Sequence, residues 1–498
     1  MISFVPIDET KRIRLDDYAL DPQFSTVVAD LRSEFDPLRA RIGNRRVFMV
    51  NSTARGGGVA EMLPQLVLLL RELGLDVEWV TLQTDDRAFF HLTKRLHNLI
   101  HDDRRASPIL SAEDARLYES VNKENADSLR PHLRPDDILV VHDPQPLPLA
   151  VQLRAELGLR FLWRCHIGFD RHTDATRSAW RFLRPYVERC DHALFSAPEY
   201  IPSFLAGRAS ISHPAIDPMS HKNRELAVHK MVGILCNAGL QPAYGPIPTP
   251  DFEDQAKVLG LDGEFGPAGE LGLLFRPMVL QVSRWDRLKG WQGLLDGFLR
   301  LKQQVRENTV PVPRERNQRR LELARLVLAG PDPSSIQDDP EGIAVLDELC
   351  DACAHLDPRD REDVVVLSLP MTSRKDNGLI VNVLQRCASV VVQNSLREGF
   401  GLTVTEAMWK GQAVLGTTAC GIRQQIRDGI DGVLTTDPEC PDEIAQHLRA
   451  LLVNPARRHR MGRFARRHVY EDLLIFRQVA RYLRALARVV SEGRHPTA

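Results

Sequence analysis

An alternation of short apolar strands, small-residue turns and amphipathic helices limits the fold of this chain more than any other feature. The alternation first appears as a predicted strand at residues 46–50, followed by the turn Gly56-Gly57-Gly58. A helix is predicted next, since its apolar residues recur along one helical face, and Gly74 is a good end for it. Another strand is predicted at 75–82. Strand, turn, helix and strand form a βαβ unit, which builds parallel sheets. We therefore predict an α/β fold.

The same pattern recurs in two series along the 498 residues. Further strands are predicted at 137–141, 160–165 and 192–196, and then at 278–282, 326–329, 363–367, 390–393 and 413–416. An irregular stretch rich in proline and glycine, at about 217–272, separates the two series and is typical of a linker or insertion. A chain of this length exceeds one ordinary hydrophobic core. We therefore predict two α/β halves, with ligands at the carboxyl ends of the strands.

Bulk composition excludes several classes of function. The chain carries 65 lysines and arginines against 66 aspartates and glutamates, so a nucleic-acid-binding protein is not expected. It has no apolar stretch long enough to span a membrane, and its N-terminus lacks the apolar core of a signal peptide. The eight scattered cysteines, including the pair Cys350 and Cys353, favour a reducing compartment, and we expect a cytoplasmic protein. Residues 303–321 are dense in arginine and glutamate, as in a solvated helix and loop.

The strongest chemical signal is a pair of glutamates around a glycine-rich turn. The stretch reads Glu398, Gly399, Phe400, Gly401, Leu402, with a helix predicted from near Thr403 that carries Glu406. The glycines let backbone N–H groups approach an anion, and the positive end of the helix points to the same place. A carboxylate can accept hydrogen bonds from the hydroxyls of a ribose. The pair therefore indicates a nucleotide-sugar site.

Three further groups have polar residues at strand ends. Arg284 and Lys289 follow the strand at 278–282 and can neutralise a diphosphate. The Gly56–58 turn is compatible with a phosphate, although it lacks the spacing of the known dinucleotide and nucleotide-triphosphate motifs. His166 ends another strand, and for it a structural role and a sugar contact are equally open.

These residues resemble the GT-B fold and, within it, the retaining glycosyltransferase family 4, whose paired glutamates and Arg-x4-Lys pattern match Glu398/Glu406 and Arg284/Lys289. A closer resemblance is to trehalose synthases that transfer glucose, with trehalose phosphorylases beside them. The matching runs begin at Gly56, Val141, Trp163, Ile216, Gln281, Asp338, Asn382 and Gln393, with Lys222-Asn223 following the fourth.

The resemblance implies two Rossmann-like domains facing across a cleft. We expect an extension at 1–40, a first domain at 41–272 with an insertion at about 224–272, and a second, nucleotide-sugar-binding domain at 273–475. The last helix, 476–498, would return to the first domain. The long segment 224–272 would cover the cleft or form a homodimer contact.

The resemblance also implies roles for single residues of the second half. Glu406 would hold the ribose, and Arg284 and Lys289 the diphosphate. Glu398 and the turn formed by Gly399, Phe400, Gly401, Leu402 and Thr403 would hold the donor sugar.

In the first half, Gly57 and Gly58 would lie against the phosphates, and His166 and Asp143 near the two sugars. Gly168 and Asn394 depart from the family pattern close to the expected sugar pockets, so the acceptor stays open.

The expected reaction is therefore transfer of glucose from a nucleotide-diphosphate glucose, such as UDP-glucose, to glucose, giving trehalose with retention. The nucleotide of the donor is open among UDP, ADP and GDP. No bound cofactor and no catalytic metal are expected, since no Asp-x-Asp at a strand end and no metal-ligand spacing stands out. The alternatives are a trehalose phosphorylase, transfer to another small acceptor such as a glycerate or an antibiotic precursor, and a sugar-nucleotide sensor or scaffold without turnover.

Overall fold

The computed structural model describes residues 2–8, 12–54, 57–102, 106–243, 245–247, 250–310, 315–335 and 340–492. The chain divides into two compact units. The first consists of Met1–Ala215 together with Ile475–Ala498, and the second of Ile216–Leu474.

The first unit is built on a seven-stranded sheet with the strand order β1-β3-β2-β4-β5-β6-β7. Up to residue 215 its elements are β1 (Ile2–Phe4), α1 (Leu15–Leu20), α2 (Ser25–Ile42), β2 (Arg46–Asn51), α3 (Gly57–Glu72), β3 (Asp76–Leu82), α4 (Arg87–Ile100), α5 (Ala112–Leu129), β4 (Ile138–His142), α6 (Leu147–Leu157), β5 (Arg160–Cys165), α7 (Asp174–Val187), β6 (His192–Phe195) and β7 (Ala209–Ile211). All neighbours pair in parallel except β1, which runs antiparallel to β3. Every residue of β4 is buried, as expected for a parallel strand covered on both faces.

The second unit is built on an eight-stranded sheet with the order β15-β14-β13-β10-β11-β12-β8-β9. Its elements are α8 (Val228–Asn237), β8 (Lys257–Leu259), β9 (Phe265–Pro267), β10 (Met278–Val282), α9 (Trp291–Arg306), α10 (Glu315–Glu322), β11 (Arg325–Pro331), α11 (Pro340–Ala354), α12 (Pro358–Arg361), β12 (Val364–Leu369), α13 (Arg374–Cys387), β13 (Val390–Gln393), α14 (Leu402–Trp409), β14 (Val414–Thr417), α15 (Cys420–Arg423), β15 (Val433–Thr435), α16 (Pro441–Leu452) and α17 (Pro455–Asp472). The six strands from β10 to β15 pair in parallel. The predicted α/β class and every predicted strand are confirmed, with ends that shift by one or two residues.

The last helix, α18 (Ile475–Glu492), is grouped with the first unit. It packs there against the N-terminal segment, where the rings of Tyr18 and Phe476 meet edge to face at 5.0 Å. Residues 1–40, expected to be an extension, therefore contribute a strand and two helices to this unit. Tyr18 is fully buried, and Phe35 of α2 is nearly so.

The boundary between the units also differs from the expected one at 272/273. Residues 216–272 belong to the second unit because β8 pairs antiparallel with β12, and β9 pairs with β8. The main-chain N–H of Ile216 also donates to the carbonyl of Leu473 at 3.0 Å. The segment expected to be an insertion into the first domain therefore forms one edge of the second sheet.

All eight cysteines are free, and Cys350 and Cys353 lie on α11, where burial raises the pKa of both thiols to about 11. Within the residues described, no helix is both long enough and apolar enough to cross a membrane.

Candidate active site

A cation and a carboxylate meet at the carboxyl edge of the second sheet. The chain leaves β10 at Val282, and a short 3-10 turn over Arg287–Lys289 then places Lys289 beside the end of β13. The Nζ of Lys289 lies 2.7 Å from Oε2 of Glu398, and the two side chains are only 14% and 12% exposed. Arg284, two residues after the end of the strand, is exposed. The structure therefore brings Lys289 and Glu398 into one ion pair with Arg284 close by in the chain.

The turn after Glu398 requires glycine at Gly401. This residue has a φ of +84°, and a Cβ there would lie 2.9 Å from Cγ of Glu398. Gly401 is also the N-cap of α14, so no side chain at that position accepts from the first-turn N–H groups. The turn with Gly399, Phe400, Gly401 and Leu402 thus leads into a helix N-terminus suited to a negative group. The side chain of Thr403 instead donates to Gln393 at 2.8 Å, which is a structural contact.

Two residues outside the predicted motif contact the main chain of this turn and fix its conformation. Gly421 lies so close that a Cβ there would come within 2.6 Å of the carbonyl carbon of Gly399. Gln425 is fully buried, and its amide donates to the carbonyl oxygens of Phe400 and, at 3.3 Å, Gly401. A fixed backbone is what a preorganised anion site requires.

Glu406 lies on α14 and is only 5% exposed. Its Oε1 is 3.6 Å from Nζ of Lys222, whereas its Oε2 is buried and has no hydrogen-bond partner within the described chain. Lys410, the C-cap residue that follows α14, donates to the Glu406 carbonyl at 3.1 Å and to Asn223 Oδ1 at 3.2 Å. Burial lowers the pKa of Lys410. A buried carboxylate oxygen without a donor is costly unless a ligand supplies one.

A separate polar cluster lies at the carboxyl edge of the first sheet, where β4 and β5 end side by side. Asp143 has a φ of +61°, and its Oδ1 accepts the main-chain N–H of His166 at 2.8 Å. The ring of His142 stacks on that of His166, and His142 Nδ1 lies 3.1 Å from His166 Nε2. The structure therefore brings the predicted residues Asp143 and His166 together and adds His142.

The charge state of this cluster follows from its surroundings. Arg164 is fully buried beneath it and donates to Ser196 Oγ at 3.2 Å, and Ser196 Oγ donates to the His166 carbonyl at 3.2 Å. Burial, and then the charge of Arg164, lowers the pKa of His142 to about 3 and that of His166 well below its usual range. Burial raises the pKa of Asp143 to about 6. Both imidazoles are therefore neutral near pH 7, and the carboxylate titrates close to neutrality.

The glycine turn of the first sheet is described only in part. Gly57 begins α3, and a Cβ on the exposed Gly58 would meet no described atom within 4 Å. Gly56, and Asp338 and Asp339 of the family run, lie outside the described residues.

The two departures from the family pattern serve packing. A Cβ at Gly168 would collide with the ring of Tyr200. Asn394 is 1% exposed, and its amide donates to the carbonyls of Gly290 at 3.0 Å and Pro438 at 2.9 Å. Both positions therefore have structural contacts within the protein, and their bearing on the choice of acceptor stays a prediction.

Sequence reasoning did not assign Lys222, Lys410, Gly421, Gln425 and Arg164. Lys222 and Arg164 did stand in two of the family runs, and Lys410 follows Glu406 at one helical turn, so all three left a weak signal. Gly421 and Gln425 left none, because their contacts with the turn depend on the sheet. Among the residues described, no cluster of three or more histidines, cysteines, aspartates or glutamates could hold a metal ion.

Comparisons with known proteins agree with this architecture. The family described as trehalose synthase, N-terminal domain, matches residues 49–202, and that described as glycosyl transferases group 1 matches residues 275–468. The α,α-trehalose-phosphate synthase (UDP-forming) of Burkholderia xenovorans superposes with a TM-score of 0.63 at 17% identity, covering 89% of this chain and 99% of that one. The fold is therefore GT-B.

Relatives in sequence narrow the family. The trehalose synthase of Pyrococcus horikoshii is 32% identical over 444 residues, which cover 89% of this chain and 90% of the relative. The trehalose synthase of Rubrobacter xylanophilus is 32% identical over 475 residues, covering 95% and 97%. A trehalose phosphorylase of Pleurotus sajor-caju is 26% identical, and the match covers 94% of this chain but 60% of that protein. This chain belongs to the trehalose synthase family and is a glycosyltransferase that transfers hexosyl groups.

Proposed function

We propose that the protein transfers glucose from a nucleotide-diphosphate glucose to glucose, forming trehalose with retention of the anomeric configuration. One observation carries the proposal. Glu406 has a buried carboxylate oxygen without a hydrogen-bond donor. It lies on α14, and the N-terminus of this helix comes directly after the turn that contains Glu398, the partner of Lys289. Membership of the trehalose synthase family supports the choice of sugar and product.

On the donor side, the proposed contacts follow from charge. Glu406 would accept hydrogen bonds from the ribose hydroxyls through its Oε2. Arg284 and Lys289 would neutralise the diphosphate, and Lys289 would then be shared between a phosphate oxygen and Glu398. Glu398 and the N–H groups of the turn at 399–402 would hold the hydroxyls of the donor sugar.

In the reaction, the bond from the anomeric carbon to the diphosphate oxygen breaks, and a bond to the acceptor hydroxyl oxygen forms on the same face. The leaving phosphate oxygen would take the proton from that hydroxyl. Arg284, Lys289 and the helix N-terminus would stabilise the negative charge that develops on the leaving group. These cations supply the neutralisation that a metal ion provides in other transferases, so we propose a reaction without a bound cofactor or catalytic metal.

The polar cluster of the first unit would bind a sugar. Asp143 uses Oδ1 for the His166 N–H, so its other oxygen can accept from a hydroxyl. A neutral His166 can donate or accept. Since all eight cysteines are free, we also propose that the protein works in the reducing environment of the cytoplasm.

The test incubates the purified protein with UDP-, ADP- or GDP-glucose and with glucose, glucose 6-phosphate or no acceptor. We expect release of nucleoside diphosphate that depends on glucose, and trehalose in which both anomeric carbons have the α configuration by NMR. Release of nucleoside diphosphate that requires glucose 6-phosphate would show that this sugar phosphate, and not glucose, is the acceptor. Formation of glucose 1-phosphate from trehalose and phosphate, without any nucleotide, would replace the proposal by a phosphorylase. Binding of a nucleotide sugar without turnover on any acceptor would indicate a sensor.

A further inference from the structure

A cavity of about 400 Å³ lies in the second unit at the sheet edge opposite the candidate donor site. Its lining includes Pro277, directly before β10, and Ser389, directly before β13. Arg284 and Glu398 follow the carboxyl ends of the same two strands. A five-residue strand such as β10 spans roughly 16 Å, so the length of the strands separates the cavity from the candidate donor site. The cavity is therefore distinct from the donor site.

The lining of this cavity carries positive charge only. It contains five arginines and no aspartate or glutamate: Arg276, Arg316, Arg319, Arg320 and Arg458. Arg276 is already neutralised by its ion pair with Asp363. The three arginines of α10 stand at positions i, i+3 and i+4 and so share one face of the helix, where like charges destabilise it. Within the described chain, none of these three has a carboxylate partner.

Arg458 adds a fourth unneutralised cation, from α17. Its guanidinium donates to the carbonyl of Leu452 at 2.9 Å, which fixes it at the end of α16. Burial, and then the charge of Arg320, lowers the pKa of Arg458 to about 10. Arg320 and Arg458 both line the cavity, so two guanidinium groups border the same partly desolvated space, and an anion held between them would stabilise both.

Most of the remaining lining of the cavity is apolar, and we refer to this part as the apolar wall. Leu273 and Leu452 are buried, whereas Leu274, Phe275 and Leu323 are 46%, 68% and 43% exposed. Large apolar side chains beside a row of arginines suit a ligand with one anionic end and one less polar body. A volume of about 400 Å³ falls within the usual range for small-molecule sites.

We propose that this cavity binds a small organic phosphate, with its phosphate monoester on Arg319, Arg320 and Arg458 and its body against Leu274 and Phe275. A phosphate monoester has three acceptor oxygens and a charge of about −1.5 to −2 near pH 7, so it can pair with several guanidinium groups at once, whereas a simple carboxylate has two oxygens and one charge. The shared chemistry is a phosphate monoester, carried by a sugar phosphate or a nucleoside monophosphate. The dense charge of residues 303–321, expected to mark a solvated face, would then include a binding surface.

The test measures binding by isothermal titration calorimetry on the full chain with its donor site disabled by Glu406→Ala and Arg284→Ala. The probes are inorganic phosphate, ribose 5-phosphate and adenosine monophosphate. In the same background, Arg319→Ala with Arg320→Ala should weaken binding of both organic phosphates by about 10- to 100-fold. Arg460→Ala, an exposed arginine of α17 that does not line the cavity, should change it less than twofold.

The probes separate the two sources of the phosphate. If adenosine monophosphate binds more tightly than ribose 5-phosphate, and this preference is lost in Phe275→Ser, a nucleobase lies against the apolar wall. Equal binding of the two would assign the site to sugar phosphates. The proposal is overturned if no organic phosphate binds at millimolar concentrations. It is also overturned if inorganic phosphate binds as tightly as both, or if Arg460→Ala weakens binding as much as the paired substitution does.

Discussion

Replacement of Glu406 tests the donor site most directly, because the structure gives this carboxylate one free oxygen and a fixed place. Oε2 is already buried without a donor, so part of the desolvation cost is met before any ligand binds. A ribose would give it up to two charge-assisted hydrogen bonds, each contributing about 1.5 kcal/mol or more. We expect Glu406→Ala to cost about 3 kcal/mol of donor affinity, which is roughly 100-fold in Kd.

The assay is calorimetry with UDP, ADP or GDP, whichever binds best, together with its 2′-deoxy analogue. Removing one hydroxyl should weaken binding to the natural protein by about 10-fold, which corresponds to one lost charged hydrogen bond. In Glu406→Ala the same removal should have almost no effect, because its partner is gone. This comparison isolates the contact from any general loosening of the site.

Folding of the variant is a separate question that the structure also addresses. Lys222 is 37% exposed and loses only a partly solvated pair, whereas Lys410 keeps its bond to Asn223. We therefore expect a small change in Tm, and Glu406→Gln, which keeps the shape, should behave alike. Glu471→Gln, on an exposed carboxylate paired with Arg467, is the control. The reasoning is refuted if Glu406→Ala binds the ribonucleotide as tightly as before, or if it still discriminates against the deoxy analogue.

Three further outcomes follow from the same geometry. Lys289→Met should lower kcat by about 100-fold in a nucleotide-release assay, since a cation near the leaving group is lost, and an unchanged kcat would exclude that role. Burial raises the pKa of Asp143 to about 6, so lowering the pH from 7 to 5 protonates it and the KM for the acceptor should rise by about 10-fold. Asp143→Asn should abolish this pH dependence of KM, and a dependence that persists in the variant would assign it to another group. Gly421→Ala should displace Phe400 and weaken donor binding at least 10-fold by calorimetry, whereas Gly266→Ala, which has open space around it, should not; equal effects would mean a general loss of stability.

The sheets could be predicted from sequence because their strands are nearly continuous apolar runs. In β4, β10 and β12 every residue is buried, so the run itself marks the strand. The N-terminal 40 residues lack that signal. Their helices bury side chains such as Tyr18 against α18, more than 450 residues away in sequence. Local sequence patterns do not reveal a contact between such distant residues.

The domain boundary was misplaced for a similar reason. Residues 216–272 contain two three-residue strands, too short to be told from a loop by periodicity. The pairing of β8 with β12 and of β9 with β8 assigns them to the second sheet. The short strand β8 is specified by its partner rather than by its own composition.

For the candidate site, sequence predicts the groups that stand in one local motif and misses those that support them. Glu398, Gly401 and Glu406 fall within nine residues, so their chemistry and spacing are visible together. Gln425 reaches the same turn from beyond the next strand, and its buried amide has no local pattern. A glutamine in such a place looks like any surface glutamine until the main-chain carbonyls that it binds are known.

The two carboxylates of the motif, Glu398 and Glu406, differ in the hydrogen bonds that they accept within the protein, and this difference bears on their roles. Glu398 is satisfied within the protein, since Oε2 accepts from Lys289 at 2.7 Å and from Ser395 at 3.0 Å. Glu406 leaves its Oε2 without a donor. A ligand therefore gains most at Glu406, where it adds a missing hydrogen bond, and less at Glu398, where it must share existing ones. Affinity should depend chiefly on Glu406 and turnover on the Lys289–Glu398 pair, because shared bonds can strengthen as charge develops on the leaving phosphate.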